Sequence, residues 1–130
     1  MKKLSNLVLA ILLSVSLFSC EQKEKNRCTD FKTGTFRFVD PKFKRFKVVR
    51  NESTQTETDS VTGLAITGDV DWTSDCSYKV TYTKASDPKY ASVIGTSSRV
   101  QILAIFDDKL TVKSQGLGGI MEVEMIKTAP

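Results

Sequence analysis

The chain has 130 residues, enough for one domain with one modest core, and its 19 basic and 15 acidic residues leave a net charge of +4. It contains no histidine and three cysteines. Those counts exclude Ser-His-Asp and Cys-His catalysis, histidine-ligated zinc and a thiolate zinc site, and no metal or other cofactor is implied.

The first segment has three zones: Lys2 and Lys3, an apolar run of 12 residues from Leu7 to Phe18 broken only by Ser14 and Ser16, and the small Ser19 before Cys20. This is the layout of a secretory signal over residues 1–19. The run is shorter than the ~20 residues a spanning helix needs. Leu17-Phe18-Ser19-Cys20 resembles the lipobox of bacterial lipoproteins, which implies cleavage before Cys20 and acylation of that cysteine. Two or three acyl chains suffice for stable anchoring. Glu21 is not the aspartate associated with inner-membrane retention, so the expected address is the outer membrane.

Cleavage removes 19 of the 130 residues and leaves 111; it takes Lys2 and Lys3, so 17 basic against 15 acidic residues give +2. At that charge no polyanionic partner is required. Cys28 and Cys76 then remain, an even pair in an oxidising compartment, and are expected to be bonded. Such a bond closes a loop of about 49 residues, worth about 4 kcal/mol in the chain-entropy model. The alternative is two reduced, buried thiols.

Residues 20–29 are expected to be a lipidated polar tether and residues 30–130 a single β domain. Apolar residues recur with period two along that domain. Phe36 and Phe38 share a face, as do Phe46 and Val48. Leu64, Ile66, Val70 and Trp72 form the next set, then Tyr78, Val80 and Tyr82. Val100, Ile102, Ala104 and Phe106 follow, then Leu110 with Val112, and finally Met121, Val123 and Met125. Turn chemistry separates the runs, from Asp40-Pro41 and Asn51-Glu52-Ser53 to Asp107-Asp108 and Gly116–Gly119. Helix is confined to a single turn near Ser86–Tyr90. The expectation is all-β: roughly seven or eight antiparallel strands in a lipocalin-like up-and-down barrel or half-barrel, or in a small sandwich.

The tract Thr54–Asp59 has threonine on one face and amide or acid on the other, with no large apolar side chain. It is either an exposed edge, a projecting arm, or one wall of a polar cavity. Arg50 lies across a short turn from Gln55 and Glu57, and these three are the candidate ligand-binding residues. The pairs Glu57/Asp59, Asp69/Asp71 and Glu122/Glu124 each project from one strand face about 7 Å apart, within range of inverting glycoside hydrolysis. Solvent-facing strands place charges at the same spacing, so no catalytic residue is assigned. The basic tract Lys42-Phe43-Lys44-Arg45-Phe46-Lys47 mixes cations and rings as single-strand nucleic-acid grooves do, but in an exported chain it reads as a solvated segment with inward phenylalanines. No nucleic-acid partner is expected. Gly116-Leu117-Gly118-Gly119 lacks the lysine of a nucleotide loop and reads as a turn.

Three stretches together carry a resemblance: Cys28-Thr29-Asp30-Phe31-Lys32-Thr33-Gly34-Thr35-Phe36, then Arg50 with Gln55-Thr56-Glu57, then Trp72-Thr73-Ser74-Asp75-Cys76-Ser77-Tyr78. This pattern resembles a family of short bacterial envelope lipoproteins of no established activity, some of whose members carry the label DNA topoisomerase IV. An exported domain of this size lacks the several domains and the helical catalytic tyrosine of a topoisomerase, so the label does not fit. The expected function is that of a non-enzymatic envelope lipoprotein, a binding or accessory module. Its partners would be the membrane, through the lipid anchor, and a small apolar or amphipathic ligand. One alternative is a subunit that docks an envelope protein through an exposed polar edge strand. A remote alternative is a carboxylate-dependent hydrolase.

Overall fold

The computed structural model describes residues 27–130. The expected lipidation site Cys20, the expected signal segment and most of the expected tether lie outside the described residues. The strands are β1 (Gly34–Phe38), β2 (Phe46–Arg50), β3 (Thr54–Asp59), β4 (Ala65–Ser74), β5 (Ser77–Ala85), β6 (Ser97–Phe106), β7 (Lys109–Gly116) and β8 (Gly119–Ala129). Each pairs antiparallel with the next, and β8 returns to β1 with Phe38 opposite Met125, so the sheet closes as an eight-stranded up-and-down barrel. Closure excludes a sandwich, and it leaves no free edge among the described strands.

Period-two alternation explains the interior. Phe36, Val80 and Leu110 are the most completely buried large side chains, and Val48, Tyr78, Val100, Ile102, Val112 and Met125 pack around them. One expected face fails. Between Ile102 and Ala104 the β6–β7 register shifts, so Ile102 opposes Val112 while Ala104 opposes Thr111. The bulge inserts Leu103 as an extra residue, and beyond it the faces exchange. Ile105 packs on the core, whereas Ala104 and Phe106 point outward, Phe106 with 75% exposure.

The polar tract Thr54–Asp59 is not an edge or an arm. As β3 it pairs with β2 on one side and β4 on the other. Its threonines face outward, with Thr56 Oγ1 and Thr67 Oγ1 3.0 Å apart across the β3–β4 pair. The alternate residues, Gln55, Glu57 and Asp59, are therefore the ones that face the interior.

The alternating strand directions separate two ends. One collects the start of β1, the turns at residues 51–53, 75–76 and 107–108, and the end of β8. The other collects the β1–β2, β3–β4, β5–β6 and β7–β8 connections. The first end is stoppered. A 3₁₀ turn over Cys28–Phe31 is fastened to the β4–β5 turn by the Cys28–Cys76 disulfide, Cα–Cα 5.1 Å, and its Phe31 is buried. Lys127 Nζ donates to the Asp30 carbonyl at 2.7 Å, tying the same turn to β8. Cys28 and Thr29, expected to belong to the tether, are thus part of the stopper. At the opposite end, Asp40-Pro41 and Asp87-Pro88 each start a 3₁₀ segment, the aspartate accepting the N–H two residues on at 2.9 Å.

Candidate functional site

A cavity of about 320 Å³ occupies the barrel interior and reaches the unstoppered end, where Val93, Thr96 and Leu117 contribute to its wall. The volume is at the lower limit for small-molecule sites, and eight strands leave an interior that holds one small ligand. Phe38, Val48, Ile66, Val80, Val112 and Val123 supply apolar lining. The polar lining is concentrated on β2, β3 and β5, through Arg50, Gln55, Glu57 and Tyr82, with Ser98 and Ser114 contributing on β6 and β7.

The local sequence sets that polar wall. Asn51 Oδ1 accepts from the N–H groups of Ser53 (3.0 Å) and Thr54 (2.8 Å), which tightens the β2–β3 turn. That turn places Arg50 directly opposite Gln55. Arg50 is 3% exposed, and its Nε donates to Gln55 Oε1 at 2.8 Å. Nη1 donates to the Phe31 carbonyl at 2.9 Å and Nη2 to the Tyr78 hydroxyl at 2.6 Å. The guanidinium also lies 4.4 Å from the Tyr78 ring centroid and 4.7 Å from that of Phe36. Among the described residues it makes no ion pair; burial pushes its pKa below the ordinary arginine value, opposed by Tyr78 and Glu57.

The chain of contacts continues from Gln55. Its Nε2 donates to Glu57 Oε1 at 2.9 Å, and the Tyr82 hydroxyl donates to the same oxygen at 3.2 Å. Tyr82 reaches Glu57 across β4 at Gly68, which stands between Gln55 and Tyr82 in register. A Cβ at Gly68 would lie 2.6 Å from Val80 Cγ1 and 2.8 Å from the Thr81 carbonyl, so no larger residue fits there unchanged. Among the described residues Glu57 Oε2 accepts no hydrogen bond; it remains accessible, on a residue that lines the cavity. Desolvation raises the Glu57 carboxyl above its ordinary range, against the lowering by Gln55, Tyr82 and Arg50. Burial likewise raises the phenols of Tyr78 and Tyr82, and the nearby Glu57 charge adds to both.

The other acidic pairs are apart from this wall. Asp69, Asp71, Glu122 and Glu124 are exposed. Asp59 faces inward but is held by Arg45, whose Nε donates to Oδ1 at 2.7 Å while Nη2 meets Oδ2. The same Oδ1 accepts the Val61 N–H at 2.9 Å. Arg45 is the main cause holding the Asp59 carboxyl well below the usual carboxylate range. This pair fastens the β1–β2 connection to the β3–β4 turn. In the basic tract, Phe43 lies 5.8 Å from Phe38 and Phe46 is half-buried, while Lys42 and Lys44 are exposed.

The rim of the open end has its own chemistry. Every connection there carries an exposed aliphatic residue: Val39, Val61 at 72%, Ile94 and Leu117 at 75%. The structure thus brings Arg50, Gln55 and Glu57 into one hydrogen-bonded chain, as their spacing suggested. Sequence reasoning missed Tyr78, Tyr82 and the Phe31 carbonyl. The tyrosines carried a signal, since they share a strand face with the core residue Val80. The carbonyl carried none. Comparison with known proteins finds no family model, curated protein or solved structure that matches the chain.

Proposed function

We propose that the protein is a non-enzymatic envelope lipoprotein whose barrel binds one small amphipathic ligand. The observation that carries this is the 320 Å³ cavity, apolar over most of its lining, open at one end and closed over a chain that runs from the buried Arg50 and Gln55 to the half-buried Glu57 and Tyr82. At the ~30 Å³ that a small heavy-atom group takes in a liquid, the cavity accommodates roughly ten non-hydrogen atoms. The exposed aliphatic rim lowers the cost of bringing an apolar molecule from water to the mouth.

The lipid anchor fits this arrangement. Chain leaving an acylated Cys20 enters the barrel at Cys28, on the stoppered end, so the mouth is turned away from the anchoring membrane. A hydrolase is the weaker reading, because Asp59, the acid two residues from Glu57, is engaged by Arg45. A protein-docking role keeps one point in its favour, the exposed rim of Val61 and Leu117, but an edge-strand route is closed to it.

The test is titration of the oxidised mature chain, carrying Cys20→Ser to dispense with detergent, with an environment-sensitive apolar fluorophore. Saturable one-to-one binding that Val80→Trp abolishes is the expected result. Absence of binding, or binding that survives a filled cavity, overturns the proposal.

A further inference from the structure

The Arg50–Glu57 wall also bears on which head group the cavity accepts, a question that rests on the ligand-binding reading of the barrel. Arg50 and Glu57 carry opposite charges linked through one side chain, Gln55, whose two ends bond to one of them each. The wall therefore carries no net charge when both are ionised, and a charged head would add one unbalanced charge inside an apolar barrel. A carboxylate head is further opposed because Glu57 Oε2, an acceptor with no hydrogen bond among the described residues, belongs to the lining that such a head would meet. Arg50 already directs three N–H groups at Gln55, Phe31 and Tyr78. Glu57 Oε1 already accepts two hydrogen bonds, and Oε2 accepts none among the described residues. An ionised carboxylate oxygen only accepts, so what it lacks is a donor.

We propose that the ligand is an uncharged amphiphile whose head donates a hydrogen bond, such as the hydroxyl of a short aliphatic alcohol, to Glu57 Oε2. The tail lies along Val48, Val80 and Val112 toward the mouth. Selectivity comes from the acceptor-only oxygen. A site built to bond a hydroxyl discriminates against an isostere that lacks the proton, because the bound ligand then covers the acceptor and leaves it unpaired.

The decisive comparison needs no variant. 1-Octanol and heptyl methyl ether have the same atoms, and both match the volume of the cavity, but only the alcohol donates. Each is titrated at pH 8 against the apolar fluorophore bound to the oxidised mature Cys20→Ser chain, together with octanoate and octylammonium. The expected order places octanol roughly tenfold or more ahead of the ether, consistent with a hydrogen bond to a charged group, with octanoate weakest. In Glu57→Gln the amide can itself donate, so the alcohol–ether ratio should fall toward one and octanoate should gain. Equal displacement by alcohol and ether in the wild-type chain, or octanoate binding best, overturns the head-group assignment while leaving the cavity reading standing. Failure of the fluorophore itself to bind overturns the cavity reading first.

Discussion

Arg50 and Gln55 face each other across the β2–β3 hairpin, and the 2.8 Å bond between them holds a buried guanidinium that makes no ion pair among the described residues. A charge in that position is tolerated because neutral acceptors surround it: an amide oxygen, a main-chain carbonyl and a phenol, with two aromatic faces. The same contacts join the stopper (Phe31), the wall of the cavity (Gln55) and the core of β5 (Tyr78). Arg50 is thus where closure of one end and the polarity of the cavity are mechanically joined.

Replacing Arg50 with alanine should therefore be costly. It strands three buried acceptors, empties space beneath the cavity and removes the cation that offsets Glu57. Each stranded group costs about 1–3 kcal/mol, so the total loss should be about 3 kcal/mol or more, read from urea unfolding of the oxidised chain. Arg50→Lys keeps the charge but cannot reach three acceptors with a planar fork, and it should recover only part of the loss. A loss below about 1 kcal/mol for the alanine variant would show that these contacts are replaced by water without penalty.

Glu57 makes a prediction of opposite sign. Its folded-state pKa is raised, chiefly by desolvation, so the folded protein holds the proton more tightly than the unfolded chain. Stability is then lost as pH rises from the ordinary value of 4.5 through the raised value, and the penalty is fully present above it. The groups facing the carboxyl are Arg50, Tyr78 and Tyr82; none of these titrates in the acid range. Glu57→Gln should accordingly raise the melting temperature at pH 8 and leave it nearly unchanged below about pH 4. Thermal unfolding across pH 4 to 8 checks this, and a variant less stable than wild type at pH 8 would mean that the carboxylate is net stabilising through Arg50.

Much of this architecture is legible in the sequence, and the exceptions have physical causes. Alternation locates the strands and the core faces because a half-buried strand has no other economical pattern. It fails at Leu103, since a bulge changes the face of every later residue without changing composition. The tract Thr54–Asp59 is ambiguous in sequence because an interior polar wall and an exposed polar edge have the same alternation. Only pairing on both sides separates them. Arg50, Gln55 and Glu57 are legible as a group because a tight turn makes their proximity local. Tyr82 is not, because it reaches Glu57 from β5, across β4, at a separation of 25 residues that no local spacing reveals.

The disulfide should contribute more than its position near the chain start suggests. Cys28 and Cys76 are 48 positions apart, and their bond holds the stopper over Arg50. Cys76→Ser should cost about 4 kcal/mol from loop entropy alone, and partial release of the Phe31 carbonyl from Arg50 adds to it. Urea unfolding with and without reductant measures the effect in the wild-type chain, and the variant should match the reduced protein. Equal stability of oxidised and reduced protein would mean that the stopper stays seated without its covalent link.

The direction in which the mouth points is set by where the chain enters the barrel. Between an acylated Cys20 and Cys28 there are eight residue steps, which span at most about 28 Å when fully extended. β8 has 11 residues, so at ~3.4 Å per residue and the ~40° tilt of a closed barrel the wall is about 28 Å tall. With the proposed acyl anchor on Cys20, chain entering at the stoppered end would keep that end within reach of the bilayer and set the mouth about one barrel length farther out. Intact mass of the membrane-extracted protein should first show a chain that starts at residue 20 with added acyl mass. Fluorophores attached through Asp108→Cys at the stoppered end and Val61→Cys at the mouth then report orientation in vesicles, the native cysteines being acylated or bonded. Quenchers in the lipid head groups should dim the label at position 108 several-fold more than the label at position 61. The reverse order would place the exposed aliphatic rim on the membrane itself and make the bilayer, not the aqueous envelope space, the source of the ligand.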